Sequence, residues 1–121
     1  MPWKYYQSSG PLYLDGAFIH KGYSGNGAGK DNPSMEGVAN TGPLPRGKYR
    51  IEHPFNHPHA GPYTMRLTPI AGTYTYGRDG FMIHGDSVTH PGNASNGCLN
   101  ENRSIRVQMW ESGDHILEVA E

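Results

Sequence analysis

Glycine and proline punctuate this chain so densely that no long regular element fits between them: 17 Gly and 10 Pro fall within 121 residues. Glycine weakens helices and strands, and proline breaks helices and the interior of sheets. The chain must therefore be built from short strands joined by many turns. Its length suits a single domain over residues 1–121, large enough to bury roughly two-thirds of its surface without staples. Ten basic and eleven acidic residues leave a net charge of −1. That balance recommends neither nucleic acid nor an anionic membrane as a partner. Met1 to Gly10 lack the basic-then-apolar pattern of a signal peptide, and no apolar run approaches a membrane span. The one cysteine, Cys98, excludes an intrachain disulfide and a cysteine-rich zinc site. Its thiol is either a small core group or a nucleophile.

Apolar patterning predicts a β-meander at the N-terminus, over Trp3 to Ser8 and Leu12 to Lys21, with Asp15-Gly16 as a hairpin turn. Gly22 to Gly47 reads as a long loop. Strands follow at Lys48 to Glu52, Tyr63 to Thr68 and Phe81 to His84. A short helix lies between Asn100 and Ser112, capped by Asn100 or Asn102 and stopped by Gly113, and a closing strand covers His115 to Val119.

Two motifs invite chemistry and fail on spacing. Gly25-Asn26-Gly27-Ala28-Gly29-Lys30 has Ser24 where a phosphate loop needs Gly and Asp31 where it needs Ser or Thr, and Pro33 follows instead of a helix. His53, His57 and His59 sit close enough to share a divalent metal, but Pro54 and Pro58 forbid the helix that would align them. A polar connection between two strands is the plainer reading, and no metal or cofactor is expected.

The sharpest segment is Gly80-Phe81-Met82-Ile83-His84-Gly85-Asp86-Ser87, followed by Ala94-Ser95-Asn96-Gly97-Cys98. An apolar strand running into His-Gly sets an imidazole at the strand end, and Ser-x-Gly-Cys sets a thiol on a tight turn before a helix. Glycine beside the thiol lets a substrate carbonyl approach, and the turn's N–H groups can bind an oxyanion. A histidine or a helix N-terminus can lower the thiol pKa until thiolate predominates at neutral pH, and His84 can then protonate a leaving amine.

These residues resemble the catalytic signature of the L,D-transpeptidase family, with its YkuD-like fold. More narrowly, the chain resembles the Tlde1 group of bacterial type VI secretion effectors. Further matching pieces are Gly22-Tyr23-Ser24-Gly25, Asn32-Pro33-Ser34-Met35 and Gly42-Pro43-Leu44-Pro45-Arg46-Gly47-Lys48-Tyr49. The resemblance implies a mainly β sandwich with short strands, long loops and one short helix after the cysteine. It also implies a cysteine acyltransferase acting on peptidoglycan tetrapeptide stems. Cys98 would attack the carbonyl of the third residue, usually diaminopimelate, and expel the terminal D-Ala. Water then gives a carboxypeptidase product, whereas an amine gives exchange or crosslinking.

Carried over by position, Cys98 is the nucleophile and His84 the base, with Ser95, Asn96 and Gly97 shaping the oxyanion turn. Tyr23 and Ser24 line the cleft, and Asp86 orders the site or meets the substrate amine. The wider family has a second histidine where Asn96 stands and usually an Arg where Asn100 stands, so a single-histidine mechanism follows. If that Arg holds a substrate carboxylate in the wider family, Arg103 or Arg106 must substitute for it here, or the substrate is held differently. The implied partners are stem peptides, a cognate immunity protein and components of a secretion apparatus. The implied itinerary starts in the bacterial cytoplasm, uses no signal peptide and ends in a target cell's periplasm. The alternatives are a papain-like cysteine amidase, disfavoured because His84 precedes Cys98, and a non-catalytic cell-wall-binding module or a phage or secretion component.

Overall fold

The computed structural model describes residues 2–85 and 97–121. Within them the chain is mainly β, with ten strands and one α-helix. The expected meander is β1 (Trp3–Tyr6), β2 (Pro11–Leu14) and β3 (Ala17–Lys21), paired antiparallel in sequence order. Its tight turn uses Asp15 and Gly16, both at positive φ, the geometry that matches the twist of a two-residue hairpin. The segment read as a long loop contains β4 (Tyr23–Ser24) and two single 3-10 turns, Gly27–Gly29 and Pro33–Met35. Its glycines serve packing: a Cβ on Gly29 would collide with the Thr41 carbonyl.

Strands β5 (Gly47–Ile51), β6 (Phe55–His57), β7 (Gly61–Ile70), β8 (Met82–His84), β9 (Leu99–Asn100) and β10 (Ile116–Ala120) complete the sheet. Its order is β3-β2-β1-β10-β5-β7-β8-β9-β4, with β6 added to β7. Two pairings are parallel, β1 with β10 and β8 with β9. Neighbouring strands lie about 4.8 Å apart, so a flat sheet would hold β3 and β9 far from one another. Instead His20 of β3 lies 3.0 Å from Glu101, the residue after β9. The sheet folds back on itself, giving the expected two-layer sandwich. Between the layers lies one core that includes Trp3, Tyr5, Tyr49, Met65, Ile83 and Leu99.

Helix α1 (Arg103–Glu111) starts at Asn102, whose side chain accepts from the Ile105 N–H. Of the two candidate caps, Asn102 is the one used, because Asn100 is held in β9. The helix buries Ile105, Arg106 and Met109, the stripe expected at a spacing of three to four residues. The histidine cluster forms β6 and its turn. His57 Nδ1 accepts from the backbone N–H groups of His59 and Ala60, and the His53 ring meets Trp110 edge-on at 5.2 Å.

Candidate active site

The parallel pair β8/β9 builds the site. Ile83 faces Leu99 and His84 faces Asn100. Extending that register back by one residue sets Cys98 beside Met82, whose backbone N–H bonds the Cys98 sulfur. Side chains alternate along strands. Since Ile83 and Leu99 are fully buried in the core, Met82, His84 and Asn100 share the opposite face, and Cys98 immediately precedes β9. The pairing thus brings Cys98, one residue before β9, and His84, the last residue of β8, onto neighbouring strands although they are fourteen positions apart in sequence.

The imidazole is oriented from below. His84 Nδ1 lies 2.9 Å from the Gly85 carbonyl, which also accepts from Asn100 Nδ2 at 3.0 Å. A carbonyl can only accept, so Nδ1 carries the proton and Nε2 is the basic nitrogen. The backbone N–H of Glu101 donates to the His84 carbonyl at 3.0 Å, fixing the strand end. The thiol is fixed as firmly. Cys98 Sγ donates to the Gly80 carbonyl at 3.8 Å, and Gly97 adopts φ 109°, a left-handed backbone that suits glycine.

Burial pushes the Cys98 thiol above its ordinary value, although the Met82 N–H and the charge of Arg78 pull it down. Burial thus works against the lowering that a neighbouring histidine or helix N-terminus was expected to give. The thiol is only 8% exposed, and β9 stands between it and α1, so the helix N-terminus does not adjoin it. Arg78 itself is buried, donating to the carbonyls of Glu36, Pro43 (2.9 Å) and Gly42 (3.1 Å). A Cβ on Gly97 would collide with its Nη2. A hollow of about 290 Å³ opens at this point, lined by Cys98, Arg78, Asp79, Tyr76, Asn40 and Phe81 among others.

Several expected roles change. Ser24 is fully buried; its hydroxyl donates to the Cys98 carbonyl at 2.9 Å and accepts from the Leu44 N–H at 2.7 Å. It braces the cysteine backbone and does not line a cleft. Tyr23 is also buried, pairs with Asn100 across β4/β9 and lies under the Lys30 ammonium, 4.5 Å from the ring centre. Arg103 is exposed and sits over the Tyr63 ring at 5.2 Å. Arg106 is buried against Gly85 and is committed to the Pro62 and Tyr63 carbonyls, both at 2.9 Å. Asp86, Ser95 and Asn96 lie outside the described residues. Among the described residues no three His, Cys, Asp or Glu side chains converge as a metal site.

The sequence reading missed Arg78, Tyr76 and Asp79. Their signal was the run Tyr74-Thr75-Tyr76-Gly77-Arg78-Asp79-Gly80, aromatic and charged residues between glycines immediately before the strand that carries His84.

The family model described as the Tlde1 domain matches residues 19–119. The chain belongs to the Tlde1 domain family. Among solved structures, this Tlde1 domain superposes on the L,D-transpeptidase from Mycobacterium smegmatis with a TM-score of 0.50 at 17% identity, over 98% of this chain and 58% of that one. L,D-transpeptidase 1 of Mycobacterium tuberculosis gives 0.52 at 14% identity, over 99% and 62%. The helical cell shape determining protein Pgp2 from Campylobacter jejuni gives 0.56 at 18% identity, over 99% and 48%. The Tlde1 domain thus spans less than two-thirds of each of these chains, and the likeness establishes a shared L,D-transpeptidase fold. No curated protein matches the sequence.

Proposed function

We propose that this Tlde1 domain is an L,D-carboxypeptidase or L,D-transpeptidase acting on peptidoglycan tetrapeptide stems through a thioester on Cys98. One observation supports the reading: the parallel β8/β9 pair brings His84 and Cys98 onto neighbouring strands, with Cys98 lining an open hollow, on a fold shared with L,D-transpeptidases. His84 Nε2 takes the thiol proton as Sγ bonds to the carbonyl carbon of the third stem residue. The tetrahedral oxyanion accepts hydrogen bonds from the turn around Gly97 and Cys98. Collapse breaks the C–N bond, and the imidazolium returns the proton to the departing D-Ala amine. Water attacks the thioester, with His84 as base, to release a tripeptide stem; an incoming amine would give exchange or a crosslink. Burial opposes ionisation of the resting thiol, so in this reading deprotonation coincides with attack. Arg103, exposed at the start of α1, is the guanidinium available for a substrate carboxylate.

Burial of Cys98 favours one alternative, a non-catalytic cell-wall-binding module with an inert core thiol. Incubating the protein with disaccharide-tetrapeptide and weighing the products separates the two. The expected outcome is loss of one D-Ala, abolished in Cys98→Ala with folding intact. Turnover by Cys98→Ala above a few per cent of wild type rejects the covalent mechanism, and no turnover by wild type on any muropeptide leaves the binding module. We further propose an antibacterial role: delivery by type VI secretion into a target periplasm, with a cognate immunity protein protecting the producer. Directed to the periplasm, the protein should cause swelling or lysis in a Cys98-dependent way, and the same chain kept in the cytosol should be harmless. Equal toxicity from both compartments would sink that role.

A further inference from the structure

We infer that Arg78 is the positioning residue that stabilises the Cys98 thiolate, supplying a positive charge beside the nucleophile. The inference deepens the proposed reaction and rests on Cys98 being its nucleophile. A buried thiol that must ionise needs either a cation or a dense set of donors close by. His84 is neutral while it acts as base. The Met82 N–H is a single dipole.

Arg78 differs from every other arginine near the site in how its charge is used. Arg46 is bidentate to Glu36 and also pairs with Glu121, so its charge is cancelled locally. Arg106 turns toward Gly85 and Tyr63, and Arg103 is in solvent. The three acceptors of Arg78 are all backbone carbonyls, from Glu36, Pro43 and Gly42. Carbonyls orient a guanidinium and satisfy its donors without neutralising it. Of the carboxylates, Glu36 acts on it, alongside the burial that works against its charge. Glu36 itself is already saturated by Arg46.

The guanidinium also lies where the sulfur can feel it. Arg78 and Cys98 line the same hollow. Nη2 occupies the space a side chain on Gly97 would need, so the absent side chain at the residue before the nucleophile is what admits the cation. Both residues are buried, so charge between them is screened less than at the surface. A guanidinium keeps its proton under such burial where an ammonium or imidazolium can lose it.

The chain has a single cysteine, so alkylation reads this one group without interference. Iodoacetamide alkylation rates as a function of pH should be compared for wild type, Arg78→Gln and Arg78→Lys, each checked for folding by circular dichroism. Arg78→Gln should move the inflection upward by about one pH unit, slowing alkylation below it about tenfold. Arg78→Lys, which keeps the charge, should stay closer to wild type. Coincident profiles for wild type and Arg78→Gln overturn the inference, and they do so whether or not the protein turns over any muropeptide. If Arg78→Gln does not fold, wild type carries the test alone through anionic iodoacetate against neutral iodoacetamide. The guanidinium should raise that rate ratio about threefold or more over the ratio on free cysteine at 0.15 M salt. A ratio no higher than on free cysteine, with Asp79 outweighing Arg78, overturns the assignment.

Discussion

Two buried carboxyl groups brace the two sides of this site, and the molecule treats them in opposite ways. Glu36 and Glu101 are 5% and 1% exposed, so solvent access does not distinguish them. Glu36 accepts from Gln7, from the backbone and side chain of Arg46, and from the Tyr76 hydroxyl. Burial alone would raise its pKa, yet these bonds, led by those from Arg46, hold it down at about 2. Glu101 has one partner, His20 Nδ1 at 3.0 Å, while its Oε2 meets none among the described residues. Burial therefore pushes it up to about 8. The number of donors, not depth, decides whether a buried acid is charged. The consequence is spatial. The hollow beside Cys98 is walled through a fixed anion that holds Tyr76, and the His84 strand end is held by a residue that is a neutral acid at pH 7.

The harshest way to break this contrast is Glu36→Ala. It leaves the buried Gln7 amide without one of its acceptors, while the exposed Arg46 and Tyr76 can turn to water. A buried donor left unsatisfied costs about 1–3 kcal/mol, which urea melts would show as a fall in midpoint at constant slope. Glu36→Gln should cost less, since an amide oxygen still accepts. The acid limb follows from the sign of the shift: the folded pKa lies below the ordinary 4.5, so the stabilisation is complete above 4.5 and is lost as pH falls toward 2. Glu36→Gln should flatten that limb. An unchanged limb would mean that Glu36 is not the charged member.

Neither carboxyl was legible in the sequence, and the reason separates what a chain displays from what it conceals. Asp15-Gly16 and the Asn102 start of α1 were readable because their physics is local, a positive-φ turn and a side-chain cap within three residues. The alternation of buried and half-buried residues in β10 was readable for the same reason. Cys98 and His84 were readable as a motif, but their meeting depends on two-residue β9 lying parallel to β8, a pairing set by the whole fold. Ser24 looked like a substrate contact because nothing local signals that Leu44 and Cys98 converge on its hydroxyl. Arg78 and Glu36 are distant in sequence from the thiol they serve, and burial of a charge leaves no periodic trace in so short and turn-rich a chain. The same limit hid β6, whose residues looked like a connection because Pro54 and Pro58 bracket them.

A gentler change sharpens the other half of the contrast. The folded pKa of Glu101, about 8, lies above its ordinary 4.5, so the folded state holds a proton that the unfolded chain has released. Stability from this group is complete below 4.5 and is lost as pH rises toward 8, at about 1 kcal/mol per pH unit within that window. Glu101→Gln reproduces the neutral acid, so it should fold as well as wild type near pH 5 and resist urea better at pH 9. If the variant is equally weakened at both pH values, Glu101 is charged in the folded protein and the comparison with Glu36 fails.

The smallest effect tests how Glu101 is tied to the helix. Asn102 Oδ1 accepts from the Ile105 N–H at 3.0 Å and from the Ser104 hydroxyl at 3.0 Å, which leaves Nδ2 to face His20 Nε2 at 3.3 Å. An amide N–H can only donate, so Nε2 is the acceptor nitrogen and Nδ1 carries the proton that meets Glu101. One cap residue thus sets the tautomer of a histidine on β3. Asn102→Ala should cost about 1 kcal/mol through the lost cap. Asn102→Asp keeps the cap and favours the helix dipole, so its stability should stay within about 0.5 kcal/mol of wild type. A carboxylate cannot donate to Nε2, however, so in this variant the ring must protonate Nε2, and the neutral acid of Glu101 then donates to Nδ1. Nitrogen chemical shifts of the His20 ring read this directly: Nδ1–H in wild type, Nε2–H in Asn102→Asp. A wild-type ring already protonated at Nε2 would show that the cap does not set the tautomer, and that Glu101 has His20 as an acceptor throughout.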